Sequence, residues 1–393
     1  MLGSFNHQTE ASVSDRQWSH GLAPPLLMMG VPIDQVTCQQ TISIVDQMVQ
    51  SRHPHMIATA NLDFLALAQE DESLQSSLLD SDLVLADGMP LIWMSHLLGN
   101  PLRERVAGSD MVPRILALAQ HKGYRVFFLG GKEEVLSEAG KNIRKKWPKL
   151  EIAGMYSPPF TPLDEMDHIA IRKKIKDART DVLFVSFGCP KQEKWIAMNF
   201  RELGVPVCIG VGATIDFLAG TTKRAPIWMQ KTGLEWVYRT CQEPRRLAKR
   251  YWRDICVVLP GLFRQYQNYK SYSPNLPETR DLQGKTQVHR NVSYQVVTLP
   301  KRLDAFAAGD ESLRTAFDLK DVIIDAQATE FIDSAGTGRM IRMARGAKEQ
   351  GGQCVLVGAQ KTVLRSLEMM RLRSQFKEAV SLEEALTIID SCT

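Results

Sequence analysis

The chain has 393 residues, too many for one small core, so two domains and a linker are expected. Hydrophobic content of 44% and charged content of 23% describe a soluble globular protein, and a net charge of +4 does not point to a nucleic-acid binder unless the charge is clustered. No apolar run reaches the ~18 residues of a spanning helix, so contact with a membrane would have to be made from the side.

The N-terminal stretch, residues 1–25, lacks a hydrophobic signal core and is expected to be a disordered lead-in. Seven scattered cysteines without a C-x-x-C pair read as reduced cytosolic thiols, and the eight histidines show no metal-ligand spacing.

From Leu26 onward, strands and helices alternate. LLMMGVPID reads as a strand and turn, VTCQQTISIVDQMVQSR as an amphipathic helix, HMIATANLDF as a strand entering a loop, LALAQEDESLQSSLLDS as one helix, and LVLAD as a strand. DMVPRILALAQHKG is a helix stopped by Gly123, followed by the strand YRVFFLGG and the helix KEEVLSEAGKNIRKKWP. EIAGMYSPPF, DVLFVSFGCP and VPVCIGVGA complete the strands. This pattern predicts a Rossmann-like α/β fold: a mostly parallel sheet with helices on both faces and ligands beyond the carboxyl ends of its strands.

The chemistry-bearing residues fall in the loops after those strands. T-A-N-L-D brings Thr59, Asn61 and Asp63; A-D-G-M-P brings Asp87 and Gly88; R-V-A-G-S-D brings Arg105 and Asp110. L-G-G-K places Gly130 and Gly131 between a strand and a helix, where a diphosphate could approach backbone amides. G-C-P-K-Q-E-K-W contains Gln192, and G-V-G-A-T-I-D-F-L-A-G contains Asp216. Each has a plainer reading: Asp87-Gly88 as a turn, Thr59, Asn61 or Asp216 as helix caps, Gln192 and Glu193 as a solvated helix face.

Together with R-A-P-I-W, G-L-E-W-V-Y-R and E-P-R-R-L, these motifs resemble the WecG/TagA/CpsF glycosyltransferases over about residues 27–255. The resemblance implies inverting, metal-independent transfer of a sugar, N-acetylmannosamine or its uronic acid, from a UDP-sugar to a polyprenyl-diphosphate-linked acceptor. It implies Asp87 as the base and Thr59, Asn61, Arg105 and Gln192 around the sugar and diphosphate, with Asp216 at another polar pocket position. The residues are chemically apt, because inverting transfer needs one base and charge stabilisation for the leaving diphosphate. The sequence contains no D-x-D metal clamp, no G-x-G-x-x-G follows the first strand, and no cofactor is expected.

Past Gly233, arginines including Arg239, Arg245, Arg246 and Arg250 interleave with Trp236, Tyr238, Tyr251 and Trp252. Such a segment, residues 233–270, can lie in a bilayer interface and attract anionic headgroups or a lipid diphosphate; a solvated, salt-bridged helix is the plainer reading. A cut near Thr232 is therefore expected to leave residues 26–232 as a folded domain. Residues 271–290 read as a linker.

Residues 291–393 read as a second α/β unit, in which DVIIDAQATEFIDSAGTGRM and then GGQCVLVGA resemble a STAS domain over about residues 291–391. Its D-S-A-G-T-G element puts Ser334 between a strand and a helix. The resemblance makes Ser334 a candidate for phosphorylation by a partner kinase; a helix cap is the alternative. The expected location is cytoplasmic, peripheral on the inner face of the plasma membrane, without nucleic acid. A homo-oligomer is left open. The alternatives are another UDP-hexose, used for exopolysaccharide, or a STAS-based regulator with an inactive transferase domain.

Overall fold

The computed structural model describes residues 22–222, 224–272, 287–290, 294–309 and 320–391; the side chains of residues 231, 246, 271, 272, 287–290 and 306 are not described. Most of the expected lead-in and linker therefore lie outside the described residues. Leu22 to Pro25 are described, and Leu22 is buried in the core, so these four residues do not belong to a disordered lead-in as expected.

The first pair of strands, β1 (Leu26–Met28) and β2 (Val31–Ile33), forms a separate antiparallel hairpin. Its turn places Met29 and Gly30 at positive φ, the geometry of a tight two-residue hairpin loop. α1 (Cys38–Ser51) starts at a capping box: the Thr37 hydroxyl takes the Gln40 amide while the Gln40 side chain returns to the Thr37 amide.

β3 (His55–Ala60) follows, then α2 (Leu62–Ala68) and α3 (Glu72–Leu79). The single helix expected there is broken in two. Asp71 accepts a hydrogen bond from the Leu74 amide and starts a new helix, the role a short carboxylate fills better than a mid-helix position.

β4 (Leu83–Ala86), α4 (Met89–Leu97), α5 (Gly108–Lys122), β5 (Arg125–Gly130), α6 (Glu133–Lys146) and β6 (Glu151–Tyr156) continue the alternation. α7 (His168–Asp177), β7 (Val182–Ser186), α8 (Lys191–Leu203), β8 (Val207–Gly210) and α9 (Thr214–Ala219) complete it. The sheet is six-stranded and parallel in the order β4-β3-β8-β7-β5-β6.

HMIATA, LVLA and VCIG are buried along their whole length, as strands covered on both sides must be. One face packs Ile57, Leu83 and Phe128 under α1 and α5; the other packs Met56 and Leu183 under Trp195 of α8. β3 lies between β4, its successor, and β8, from the far end of the domain. The carboxyl ends of these three strands open a crevice.

α10 (Ile227–Lys231), α11 (Glu235–Gln242) and the 29-residue α12 (Pro244–Tyr272) then cross this crevice, and α12 packs along α2. α12 passes without a break through the boundary expected near residue 270.

The second domain holds β9 (Gln287–Arg290), β10 (Tyr294–Thr298), β11 (Arg302–Leu303), α13 (Ala305–Ala308), β12 (Asp321–Asp325) and β13 (Phe331–Ile332). α14 (Ser334–Glu349), β14 (Cys354–Val357), α15 (Lys361–Met369), β15 (Lys377–Ala379) and α16 (Leu382–Asp390) follow. Its main sheet runs β15-β14-β12-β10-β9, parallel except for β9. β9 thus lies inside the expected linker and belongs to the sheet.

Candidate active site

A cavity of about 680 Å³ occupies the crevice at the carboxyl ends of β3, β4 and β8. Its floor is polar. Asp87 directly follows β4, and its amide donates to the Ala60 carbonyl at 2.7 Å, which fixes the strand end. Gly88 then turns the chain into α4 at φ 137°, a conformation L side chains rarely adopt. So Asp-Gly is a turn here and also carries a carboxylate on the cavity wall; the two readings coexist.

The Asp87 side chain is recessed, and burial pushes its pKa up to about 6. The Arg105 charge and the Gly108 amide, 3.4 Å from Oδ2, pull the other way and lose.

Thr59 and Asn61 flank Asp87 on β3 and its loop. The Thr59 hydroxyl donates to the Gly210 carbonyl at 3.0 Å, tying β3 to β8. Asn61 caps α2 by accepting from the Asp63 amide at 3.0 Å, and lines the cavity as well.

Gln192 and Glu193 are not on a solvated face: both are buried at the start of α8. Gln192 Oε1 accepts from the amides of Gly188 and Gly212 at 3.2 and 3.1 Å, while its Nε2 donates to Glu193 Oε1 at 2.7 Å. Burial raises the Glu193 pKa to about 7, against the Gln192 hydrogen bond. Glu193 therefore fixes which way the Gln192 amide faces.

Arg105 is held between Asp110 and Glu235, each at 2.9 Å. Asp110 is also gripped by Arg224 at 2.6 Å. Despite burial, the Arg224 hydrogen bond and charge keep Asp110 below the usual carboxylate range. Asp110 and Glu235 thus orient the Arg105 guanidinium. Both lie in motifs that the sequence singles out, but nothing in the sequence pairs them with Arg105.

The remaining candidates divide. Arg239 and Arg250 line the cavity, with Arg250 3.7 Å from Asp63 and over the Tyr251 ring. Arg245 is exposed and outside the cavity, and the Arg246 side chain is outside the described residues.

Gly130, Gly131 and Asp216 do not line this cavity. The Gly131 amide donates to the Ser186 carbonyl at 3.0 Å, and a Cβ on Gly130 would meet that carbonyl at 2.5 Å. This glycine pair serves a turn and a close strand contact. Asp216 sits in the first turn of α9, its pKa raised by burial.

The other half of the cavity is apolar: Trp93, Met94 and Leu97 from α4 face Ile255, Val258, Leu259 and Leu262 from α12. Sequence reasoning saw the arginines and aromatics of this segment but not its aliphatic stripe, which recurs at helical spacing. Among the described residues, no three His, Cys, Asp or Glu side chains converge as metal ligands. No described helix is long and apolar enough to cross a membrane.

Ser334 does not line this cavity; it lies at the start of α14 and is buried. Asp333, rather than Ser334, caps α14 by accepting from the amides of Ala335 and Gly336 at 2.8 Å. The Ser334 hydroxyl accepts from Gln265 of α12 at 2.8 Å.

A parallel sheet with a poorly solvated carboxylate at its carboxyl edge, below a cavity with one polar and one apolar wall, is the site of an α/β enzyme. The sequence comparison gives the family: residues 26–272 match the glycosyl transferase WecG/TagA/CpsF family, and the chain belongs to it. Residues 281–385 match the STAS domain.

The N-acetylglucosaminyldiphosphoundecaprenol N-acetyl-beta-D-mannosaminyltransferase of Bacillus subtilis (strain 168) is 36% identical over 220 residues, 56% of this chain and 83% of that one. The Staphylococcus aureus (strain MW2) protein of the same name is 28% identical over 224 residues, 56% of this chain and 86% of that one. Among solved structures, the unphosphorylated anti-sigma factor antagonist SpoIIAA matches 28% of this chain and 98% of its own, at 22% identity and a TM-score of 0.25.

Proposed function

We propose that this glycosyltransferase moves N-acetylmannosamine, or its uronic acid, from a UDP-sugar to a sugar on a polyprenyl diphosphate, with inversion and without a metal, for a cell-surface polysaccharide. The single observation that carries this reading is the two-sided cavity: a poorly solvated carboxylate on a polar floor, facing an apolar wall from α4 and α12. The relatives named above act on a lipid-diphosphate acceptor, and such a molecule carries both chemistries at once.

Asp87 takes the proton from the acceptor hydroxyl as that oxygen attacks the sugar's anomeric carbon and UDP departs with the bonding electrons. Its raised pKa suits a base working just above pH 6. Thr59, Asn61 and Gln192 hold the sugar. Arg105, Arg239 and Arg250 meet the diphosphate charge, a geometry guanidinium groups match well.

The exposed rings of Trp93, Trp228, Trp236 and Trp252 and of Phe263, on α4 and α10 to α12, rest on a membrane surface, with Arg245 at the headgroups. The STAS domain serves regulation or partner binding, and a kinase reaches Ser334 only when the two domains part. UDP release from UDP-N-acetylmannosamine and a lipid-diphosphate-linked N-acetylglucosamine, with excess chelator present, tests the reading. Turnover restored only by Mg²⁺ or Mn²⁺ would remove the metal-free claim, and no UDP release with any donor would remove the whole.

A further inference from the structure

α12 has two halves with different neighbours. Ile255, Val258, Leu259 and Leu262 of the first half form the apolar cavity wall. Three residues past Leu262, Gln265 is buried with its whole amide in use. Its Nε2 donates to the Leu27 carbonyl at 2.7 Å and to the Ser334 hydroxyl at 2.8 Å, and its Oε1 accepts from the Met29 amide at 3.0 Å. Asn268 donates to the Ser366 hydroxyl at 2.9 Å, and the Tyr269 ring packs 6.2 Å from Phe331. The second half of α12 is thus fastened to the β1–β2 hairpin of the transferase domain, through Leu27 and Met29, and to α14, α15 and β13 of the STAS domain.

The STAS domain is in turn fastened to the transferase sheet. Arg342, Arg345 and Lys348 recur every three residues along one face of α14 and pair with Asp34, Asp82 and Asp80. Asn100 donates to Asp333 at 3.1 Å. Gly338 comes so close to β1 that a Cβ there would meet the Pro25 carbonyl at 2.0 Å.

The cavity-lining half is held by the transferase domain on one side, where Val258 and Leu262 are buried and Arg250 and Arg253 reach Asp63. It leaves Trp252 and Leu259 exposed, and Pro260, with no amide hydrogen, leaves the helix ladder a bond short between the halves.

We propose that the STAS domain braces the acceptor wall: docked on the transferase sheet, it holds α12 through Gln265 and so sets the position of Ile255, Val258, Leu259 and Leu262. Gln265 is then a positioning residue for the lipid end of the acceptor. The mechanical part stands on geometry alone; the effect on acceptor binding rests on the function proposed above.

Gly338→Leu in the full chain tests it. The three atoms nearest the added Cβ all belong to Pro25 and Leu27 of the transferase domain, so the substitution strikes the docked face. Undocking should raise amide exchange across α14 and, by about tenfold or more, across residues 250–262, with β3 and β4 unchanged. The KM for a polyprenyl-diphosphate-linked acceptor should rise by roughly fivefold or more, while the KM for the UDP-sugar and kcat stay within about twofold. Gln265→Leu, which leaves the Arg342, Arg345 and Lys348 pairs in place, should raise exchange over residues 250–262 and the acceptor KM in the same way with α14 exchange unchanged.

Labile α14 amides with wild-type exchange over residues 250–262 would overturn the brace. So would unchanged α14 exchange in Gly338→Leu, since the close approach at Gly338 would then not be a docked contact. A raised donor KM with an unchanged acceptor KM would overturn the acceptor-side role. If the wild-type protein transfers no sugar at all, the function proposed above fails, and exchange alone still decides the mechanical claim.

Discussion

At the level of single residues, Asp87 carries the most. Its pKa of about 6 lies above the ordinary aspartate value, so folding favours its protonated form. The associated stability is fully present below the unfolded-state pKa and is lost as pH rises through 6. Asp87→Asn should accordingly melt higher than wild type at pH 7.5, by roughly 1–3 kcal/mol, and show little gain near pH 3. Its kcat should fall by about 10²- to 10⁴-fold, with UDP affinity nearly unchanged. A turn-only aspartate would show the opposite pair of results in calorimetry and initial rates. For the wild type, kcat/KM should fall as pH drops through an apparent pKa near 6, measured as an acid limb of unit slope. The carboxylate's place at a strand end was legible in LVLADG. Its partners were not, because Glu235 and Gly108 reach it or Arg105 through tertiary folding across many residues.

At the level of elements, α12 differs most from its reading in the sequence. The arginine and aromatic pattern suggested an appendage separable near Thr232, yet Leu247, Val258 and Leu262 are buried, the last two in one cluster with Phe64 and Leu91. Removing residues 233–393 should therefore lower the melting temperature of what remains as well as its activity. Leu262→Ala alone should cost about 2–4 kcal/mol in urea denaturation. A surface role is separable by a milder change. Trp252 and Phe263 are exposed, so Trp252→Ala with Phe263→Ala should leave stability within about 1 kcal/mol while vesicle binding falls several-fold. Undiminished sedimentation with anionic vesicles would refute the membrane face. Parallel strands announced themselves as continuous apolar runs. The β1–β2 hairpin, the break between α2 and α3 and the strand β15 did not, since each is short and fixed by caps or neighbours rather than by period.

Across the whole molecule, the order of the first sheet could be reached only as a class from the sequence, because alternating elements fix parallel pairing but not which strands adjoin. β3 between β4 and β8 is what brings Thr59, Asp87 and Gly212 to one crevice. The two domains were legible as separate compositions; their contact was not. Asp34, Asp80 and Asp82 belong to no motif and find their partners only when α14 is laid against them. Above all of this stands the claim that one recessed carboxylate works in a cavity shared by a sugar donor and a lipid-linked acceptor. The most direct measurement is UDP release by wild type and Asp87→Asn, side by side, with UDP-N-acetylmannosamine and a short-chain polyprenyl-diphosphate N-acetylglucosamine in vesicles. The account predicts steady turnover by wild type and a loss of about 10²-fold or more in a variant that still folds and binds UDP. Turnover by Asp87→Asn within about threefold of wild type would contradict it.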